Sequence, residues 1–302
     1  MPVESAEDPG TSPRVGSWWV LAPLPAAAVG MAIAVSQGVR WTAYLPNLIA
    51  LVLGAGIFFG VRRRSHGRVA TWMPSVAALA ILATLVVPGV EGVHRWLAIG
   101  GLRLNVSTAA TPWILLGLAA GGQRARLLGA GAVLVAAMTH LAQPDAGQAT
   151  ALAVGVLPLA LDRRRTPSAI GVPLVLTTTA LAGAAWFVPD PLAPVDHVER
   201  ILILGSSQGA LWVAAMVAAG VALLVPFALP TRESARDPVA GALVGYIAAT
   251  FIVTVIGHFP VPVFGAGAGP VLGWYALLTV YALACGAPPV VGPEPRGGLS
   301  GV

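Results

Sequence analysis

Apolar residues fall along this chain in long blocks, with neither strict alternation nor one-sided stripes. The blocks run approximately 17–36, 43–61, 69–89, 107–121, 126–142, 146–161, 167–188, 204–229, 238–257 and 268–287, and they carry almost no charge. A surface helix of a soluble protein needs a polar face opposite its apolar one, and a helix that is apolar all round belongs in a core or a bilayer. Crossing the hydrocarbon layer takes about 20 mostly apolar residues. The pattern therefore predicts an all-α polytopic membrane protein with about ten transmembrane helices. Gln143-Pro144-Asp145 alone separates the fifth and sixth blocks, which predicts a tight helical hairpin there. One ten-helix domain is expected over 17–287. Tails 1–16 and 288–302, rich in Pro and Gly, are expected to be disordered and cytoplasmic.

Composition supports the bilayer. Of the 302 residues 57% are hydrophobic and 10% charged, whereas a soluble domain carries roughly a quarter charged residues to cover its surface. The net charge of +5 would suggest a nucleic-acid partner in a soluble chain. Placement changes that reading, because the 17 basic residues are all Arg and they cluster. With the N-terminus inside, the inner connections hold Arg14, Arg62, Arg63, Arg64, Arg68, Arg124, Arg126, Arg163, Arg164, Arg165, Arg232, Arg236 and Arg296. The outer ones hold Arg40, Arg95, Arg103 and Arg200. This is the positive-inside bias. It predicts an even number of spans, both termini cytoplasmic, contact with membrane lipid and no nucleic acid. The N-terminus, with Glu4, Glu7 and Asp8, lacks the basic start of a signal peptide. The one cysteine, Cys285, excludes an intramolecular disulfide and a multi-cysteine metal cluster.

Candidate chemistry concentrates at the outer end. Connections 90–106 and 189–203 carry Glu91, His94, Arg95, Arg103, Asp190, Asp196, His197, Glu199 and Arg200, with Asp145 and His258 on the same side. Ionisable groups at a membrane are costly and mark functional sites. No Walker loop, HExxH, CxxC or Rossmann fingerprint accompanies them. The histidines His94, His140, His197 and His258 show no ligand spacing, so the metal content stays unknown.

Four segments in order resemble the SEDS family, the FtsW/RodA/SpoVE-type membrane proteins of division, elongation and sporulation. Gly92-Val93-His94-Arg95-Trp96-Leu97-Ala98-Ile99-Gly100 with Asn105-Val106-Ser107-Thr108 is similar to G-x-x-R-W-x-x-x-G…Q-P-S-E. Gln143-Pro144-Asp145-Ala146-Gly147-Gln148-Ala149 is similar to Q-P-D-x-G-x-A. Asp190-Pro191-Leu192 through Gly205-Ser206-Ser207-Gln208-Gly209 resembles the D-P-x-G-x-G-Y…G-S-G-G loop. Gly257-His258-Phe259-Pro260-Val261-Pro262 resembles G-x-P-L-P-F before the last helix. The resemblance covers about 43–287. It departs at Thr108 and Thr111, which stand where the family has Glu and Lys.

The resemblance implies a peptidoglycan glycosyltransferase that polymerises lipid II, an undecaprenyl-pyrophosphate-linked disaccharide pentapeptide. It implies a class B penicillin-binding protein as transpeptidase partner, and it is compatible with a divalent cation (Mg or Mn). A sugar hydroxyl is a poor nucleophile and needs a base within reach; Asp190 aligns with the family's catalytic Asp. A pyrophosphate leaving group needs positive charge; Arg95 suits it, with Asp145, His197 and Arg200 as further substrate-binding candidates. Two other readings remain open: a non-catalytic homologue that binds lipid-linked precursors or scaffolds a cell-wall complex, and a precursor transporter or flippase. A transporter would place ionisable groups near the midplane, whereas here most sit at one face.

Overall fold

The computed structural model describes residues 15–62, 66–100, 102–120, 122–229 and 238–285. Most of the two expected tails, and with them Arg14 and Arg296, lie outside these residues, as do Arg63, Arg64, Arg232 and Arg236. Each apolar block holds a helix: α1 (Leu24–Ser36), α2 (Leu45–Val61), α3 (His66–Ala83), α4 (Val106–Ala119), α5 (Gln123–Ala142), α6 (Ala146–Leu161), α7 (Ser168–Ala185), α9 (Ala210–Ala228), α10 (Pro238–Ile256) and α11 (Ala268–Cys285). Eight helical stretches among the described residues are long and apolar enough to cross a membrane. The apolar helices α4 and α6 are shorter, with 14 and 16 residues. The chain is thus a multi-pass, all-helical membrane protein, as the block pattern predicts.

Two local features differ from the pattern. The eighth block is broken: a short α8 (Ile201–Ser207) precedes α9. The hydroxyls of Ser206 and Ser207 bond the carbonyls of Ile203 and Leu204, each three residues back. Gly209 then takes φ 113, a conformation that L side chains avoid, so the helix cannot run through. The outer connection 90–106 is not an open loop either. It folds into an antiparallel hairpin of β1 (Trp96–Ile99) and β2 (Leu102–Asn105), turned at Gly100 with φ 60.

The bundle is built around α4, whose residues are all buried except Ala109. Helices in a bilayer gain no hydrophobic drive from one another, so close approach through small residues does the work. A Cβ at Gly117 of α4 would meet the Cα of Gly129 of α5 at 2.7 Å and Pro74 of α3 at 2.8 Å. A Cβ at Gly273 of α11 would meet the Thr108 carbonyl of α4 at 2.2 Å. At the far end of α4, Arg165 donates to the Ala119 carbonyl at 2.7 Å and Arg126 to the Arg165 carbonyl at 2.7 Å. Cations there satisfy the orphan carbonyls at a helix C-terminus.

The near end is closed by two interlocked loops. Val261 donates to the Val198 carbonyl and Ala266 to the His197 carbonyl. Buried Asn47 of α2 clamps the second loop, donating to Val263 and Gly265 carbonyls and accepting from the Gly267 N–H at 2.6 Å. Gly265 packs where a Cβ would lie 2.4 Å from the Val198 carbonyl, which gives the glycines of 265–269 a packing role.

Gly273→Val should lower the thermal unfolding temperature of the detergent-solubilised protein, by about 1–3 kcal/mol of stability from overpacking. Gly56→Val, where a Cβ meets nothing within 4 Å, should leave it unchanged.

Candidate functional site

At the near end of α4 one guanidinium gathers three segments. Arg95 precedes the hairpin, and its own carbonyl accepts from the Val106 N–H at 3.3 Å, which seats it at the start of α4. The residue is 4% exposed. Its Nε donates to the Gln143 carbonyl at 3.3 Å, and its Nη2 donates to the Pro144 carbonyl and to Asp190 Oδ2, the latter at 2.7 Å. Asp145 Oδ2 stands 3.8 Å from Nε. A buried charge without partners would be prohibitively costly; here two carboxylates and two carbonyls surround it.

The partners are fixed in turn. Asp145 caps α6, its Oδ1 accepting from the Gln148 N–H at 3.1 Å. Its Oδ2 is buried with no hydrogen-bond partner. Asn105 caps α4 in the same way, accepting from the Thr108 N–H at 3.1 Å. Gln143 is fully buried. It accepts from the Ser107 hydroxyl at 3.2 Å and donates to the Thr84 hydroxyl, so the α5–α6 turn is tied to α3 and α4. Asp190 Oδ1 accepts from the Leu192 N–H at 3.1 Å, an Asx turn set by the following Pro191.

These residues border a cavity of about 280 Å³. The hairpin contributes Trp96 and Arg103, the segment before it Glu91 and Arg95, and the starts of α4 and α6 Asn105, Asp145 and Gln148. The loop after α7 contributes Asp190 and Glu199, and the loop after α10 His258 and Phe259. A second cavity of about 250 Å³ shares Asp190, Leu192, His258 and Phe259 with the first and is walled further by Trp186, Val188 and Pro189. Asp190 therefore stands where two cavities meet, with its side chain 28% exposed. Two helix N-termini, from α4 and α6, adjoin the first cavity. Each brings the partial positive charge of a helix N-terminus.

Of the residues singled out from sequence, Arg95, Asp145 and Asp190 come together. His197 and Arg200 do not line the cavity. His197 is half-buried and spends its carbonyl on Ala266; burial lowers its pKa and Asp196 opposes that shift. Arg200 Nη1 lies 3.8 Å from Asp196 on an exposed turn. The turn over 196–199 directs its fourth residue inward instead. Glu199, one of the ionisable residues of the outer connection 189–203, lines the cavity, and its carboxylate accepts from the Val195 N–H at 2.7 Å. Burial raises the Glu199 pKa, more than the bonds to backbone N–H groups and the charge of Arg95 lower it, and Asp190 raises it further.

The histidines do not converge. His94 Nδ1 bonds the Val87 carbonyl at 2.8 Å, and His140 is fully buried in α5. Among the described residues no three His, Cys, Asp or Glu side chains are placed to hold a metal ion. Thr108 and Thr111 use their hydroxyls on the carbonyls of Asn105 and Ser107 within α4.

No family model matches the chain, and no curated protein matches its sequence. Solved structures do match its fold. The rod shape determining protein RodA of Thermus thermophilus superposes with a TM-score of 0.66 at 20% identity, over 94% of this chain and 98% of that one. A mutant form of the same protein gives 0.66 at 20%, over 89% and 97%. A chain from a structure described as the structural coordination of polymerization and crosslinking by a peptidoglycan synthase complex gives 0.63 at 20%, over 89% and 97%. The fold implied by the four motifs is the fold the chain adopts.

Arg95→Met should destabilise the protein by about 3–5 kcal/mol, the usual result of stranding one partner of a buried ion pair. Arg95→Lys should recover only part of the loss, because a single ammonium cannot serve four acceptors in a fork. Thermal unfolding of the two variants checks both.

Proposed function

We propose that the chain is a SEDS-family peptidoglycan glycosyltransferase that polymerises lipid II at the outer face of the cytoplasmic membrane. The observation that carries this reading is Asp190, an ion-paired carboxylate standing between two cavities beside two helix N-termini. A polymerase must hold two lipid-linked substrates at one reacting centre, and two cavities meeting at one carboxylate suit that demand. The four motifs of the sequence resemblance supply its walls. The thirteen-to-four bias of Arg between the two sets of connections supports an outward site and cytoplasmic termini.

In this reading Asp190 accepts the proton of the acceptor's sugar hydroxyl as its oxygen bonds the donor's anomeric carbon. The bond from that carbon to the pyrophosphate breaks, and undecaprenyl pyrophosphate leaves with the electron pair. Negative charge developing on the pyrophosphate faces Arg95, Arg103 and the N-termini of α4 and α6, a preorganised set that needs no rearrangement during the reaction. Arg95 also holds Asp190 in place through the 2.7 Å contact. Asp145 sets Arg95 rather than touching the reacting atoms. Among the described residues no three His, Cys, Asp or Glu side chains are placed to hold a metal ion; a Mg or Mn ion would come with the pyrophosphate.

A polymerase of this kind works beside a crosslinking enzyme, and one fold relative comes from a complex described by both activities. A class B penicillin-binding protein is the proposed partner. Thr108 and Thr111, both without ionisable groups where the family carries Glu and Lys, favour a second reading: a non-catalytic homologue that binds lipid-linked precursors in the same cavity.

Lipid II polymerisation in proteoliposomes, with the transpeptidase partner, separates the two. Wild type should form glycan strands, and Asp190→Ala and Asp190→Asn should each reduce the rate by about 10²–10⁴-fold, the typical contribution of a positioned base. Strands from neither wild type nor variant, with lipid II still bound, would establish the non-catalytic reading.

A further inference from the structure

We infer that Glu199 is a second proton-handling carboxylate of this cavity, which takes the hydroxyl proton from Asp190 and delivers it to solvent. The inference rests on the polymerase reading and adds a residue to it. Each glycosidic bond formed releases one proton. The acceptor's O–H bond breaks, its oxygen bonds the anomeric carbon, and the pyrophosphate departs with the electron pair of the broken C–O bond. The proton first resides on Asp190. Asp190 must lose it before it can accept the proton of the next acceptor hydroxyl.

Glu199 is placed to receive it. Its carboxylate lines the same cavity wall, is held by the Val195 N–H at 2.7 Å, and is reached by the charges of both Arg95 and Asp190. The bond to Val195 fixes the side chain across the turn over 196–199, where a solvated glutamate would swing freely. The other charged or titratable groups around it are Glu91, Arg103, Asp145 and His258 on the cavity wall. Asp196, His197 and Arg200 flank it on its own loop. Burial raises the Glu199 pKa, which makes it a stronger proton acceptor than a solvated glutamate. Two carboxylates in unlike environments, one beside a cation and one desolvated, are the usual basis for divided acid–base roles.

The sign of the pH effect follows. Glu199 accepts a proton only when ionised, so turnover should fall as pH drops through its raised pKa, earlier than an ordinary carboxylate would impose. The test is lipid II polymerisation by the full chain with its transpeptidase partner, across acid to neutral pH, for wild type, E199Q and E199D. E199Q should lose about ten-fold or more in kcat with KM unchanged, and its acid limb should move to lower pH. E199D should recover part of the rate and restore the limb. Two outcomes overturn the inference: an E199Q rate and pH profile equal to wild type, or a slower E199Q whose acid limb has not moved, which marks a merely structural side chain. A wild type that forms no strands overturns the polymerase reading itself and the inference with it.

Discussion

The arrangement depends on one buried guanidinium. Arg95 binds the segment before the hairpin, the α5–α6 turn and the loop after α7 through contacts to Gln143, Pro144, Asp145 and Asp190. These segments are distant in sequence. A low-dielectric setting makes satisfied polar contacts strong and unsatisfied ones costly. The cluster therefore selects one arrangement of the loops. Its charges do not cancel, since one cation faces two carboxylates. The N-terminus of α6 offsets part of the excess through the cap on Asp145. The binding surface is thus a consequence of how the charge cluster is satisfied.

Most of the fold was legible in the sequence, because a bilayer requires every span to be apolar throughout and to satisfy its backbone internally. The block pattern places the ten longer helices among the described residues. What it misses follows a different physics. The break at Gly209 lies inside an apolar stretch, so hydropathy passes over it; the glycine and the paired serines before it are the local signal. The hairpin is marked by Gly100-Gly101 between apolar Trp96-Leu97-Ala98-Ile99 and alternating Leu102-Arg103-Leu104-Asn105, a known turn signature easily overlooked within a loop. For the site, Arg95, Asp145 and Asp190 were within reach because short motifs name them. Glu199 was not. Whether a loop residue faces a cavity depends on the turn over 196–199 and on the neighbouring loop that packs against it through Val261 and Ala266, and neither is encoded by local composition. The same turn explains why His197 and Arg200 fall outside.

The loop before α11 is anchored twice, by Val261, Val263 and Phe264 buried in the core and by a small number of polar contacts. Asn47 is the clearest case, a buried amide on α2 that serves three backbone groups of the loop before α11. Val263, within that loop, takes φ 66, a conformation that a β-branched residue adopts only when its surroundings enforce it. A polar clamp and a strained residue together give the wall a fixed shape. An adaptable loop would have to be ordered again each time a ligand entered.

The shortness of α4 and α6 has a consequence for where a lipid-borne substrate must sit. A helix rises about 1.5 Å per residue, so the 14 residues of α4 span about 21 Å and the 16 of α6 about 24 Å. A hydrocarbon layer is about 30 Å thick. Since both helices begin at the cavity, the missing length is taken up by the hairpin, the turns and the open space among them. The cavity is therefore a dip in the membrane's polar boundary. Under the proposed function, a head group that reached Arg95 would descend several ångströms below the plane of its neighbours, while its tail stayed in the acyl layer alongside. The protein would then bring water-side chemistry down to the lipid without lifting the lipid out.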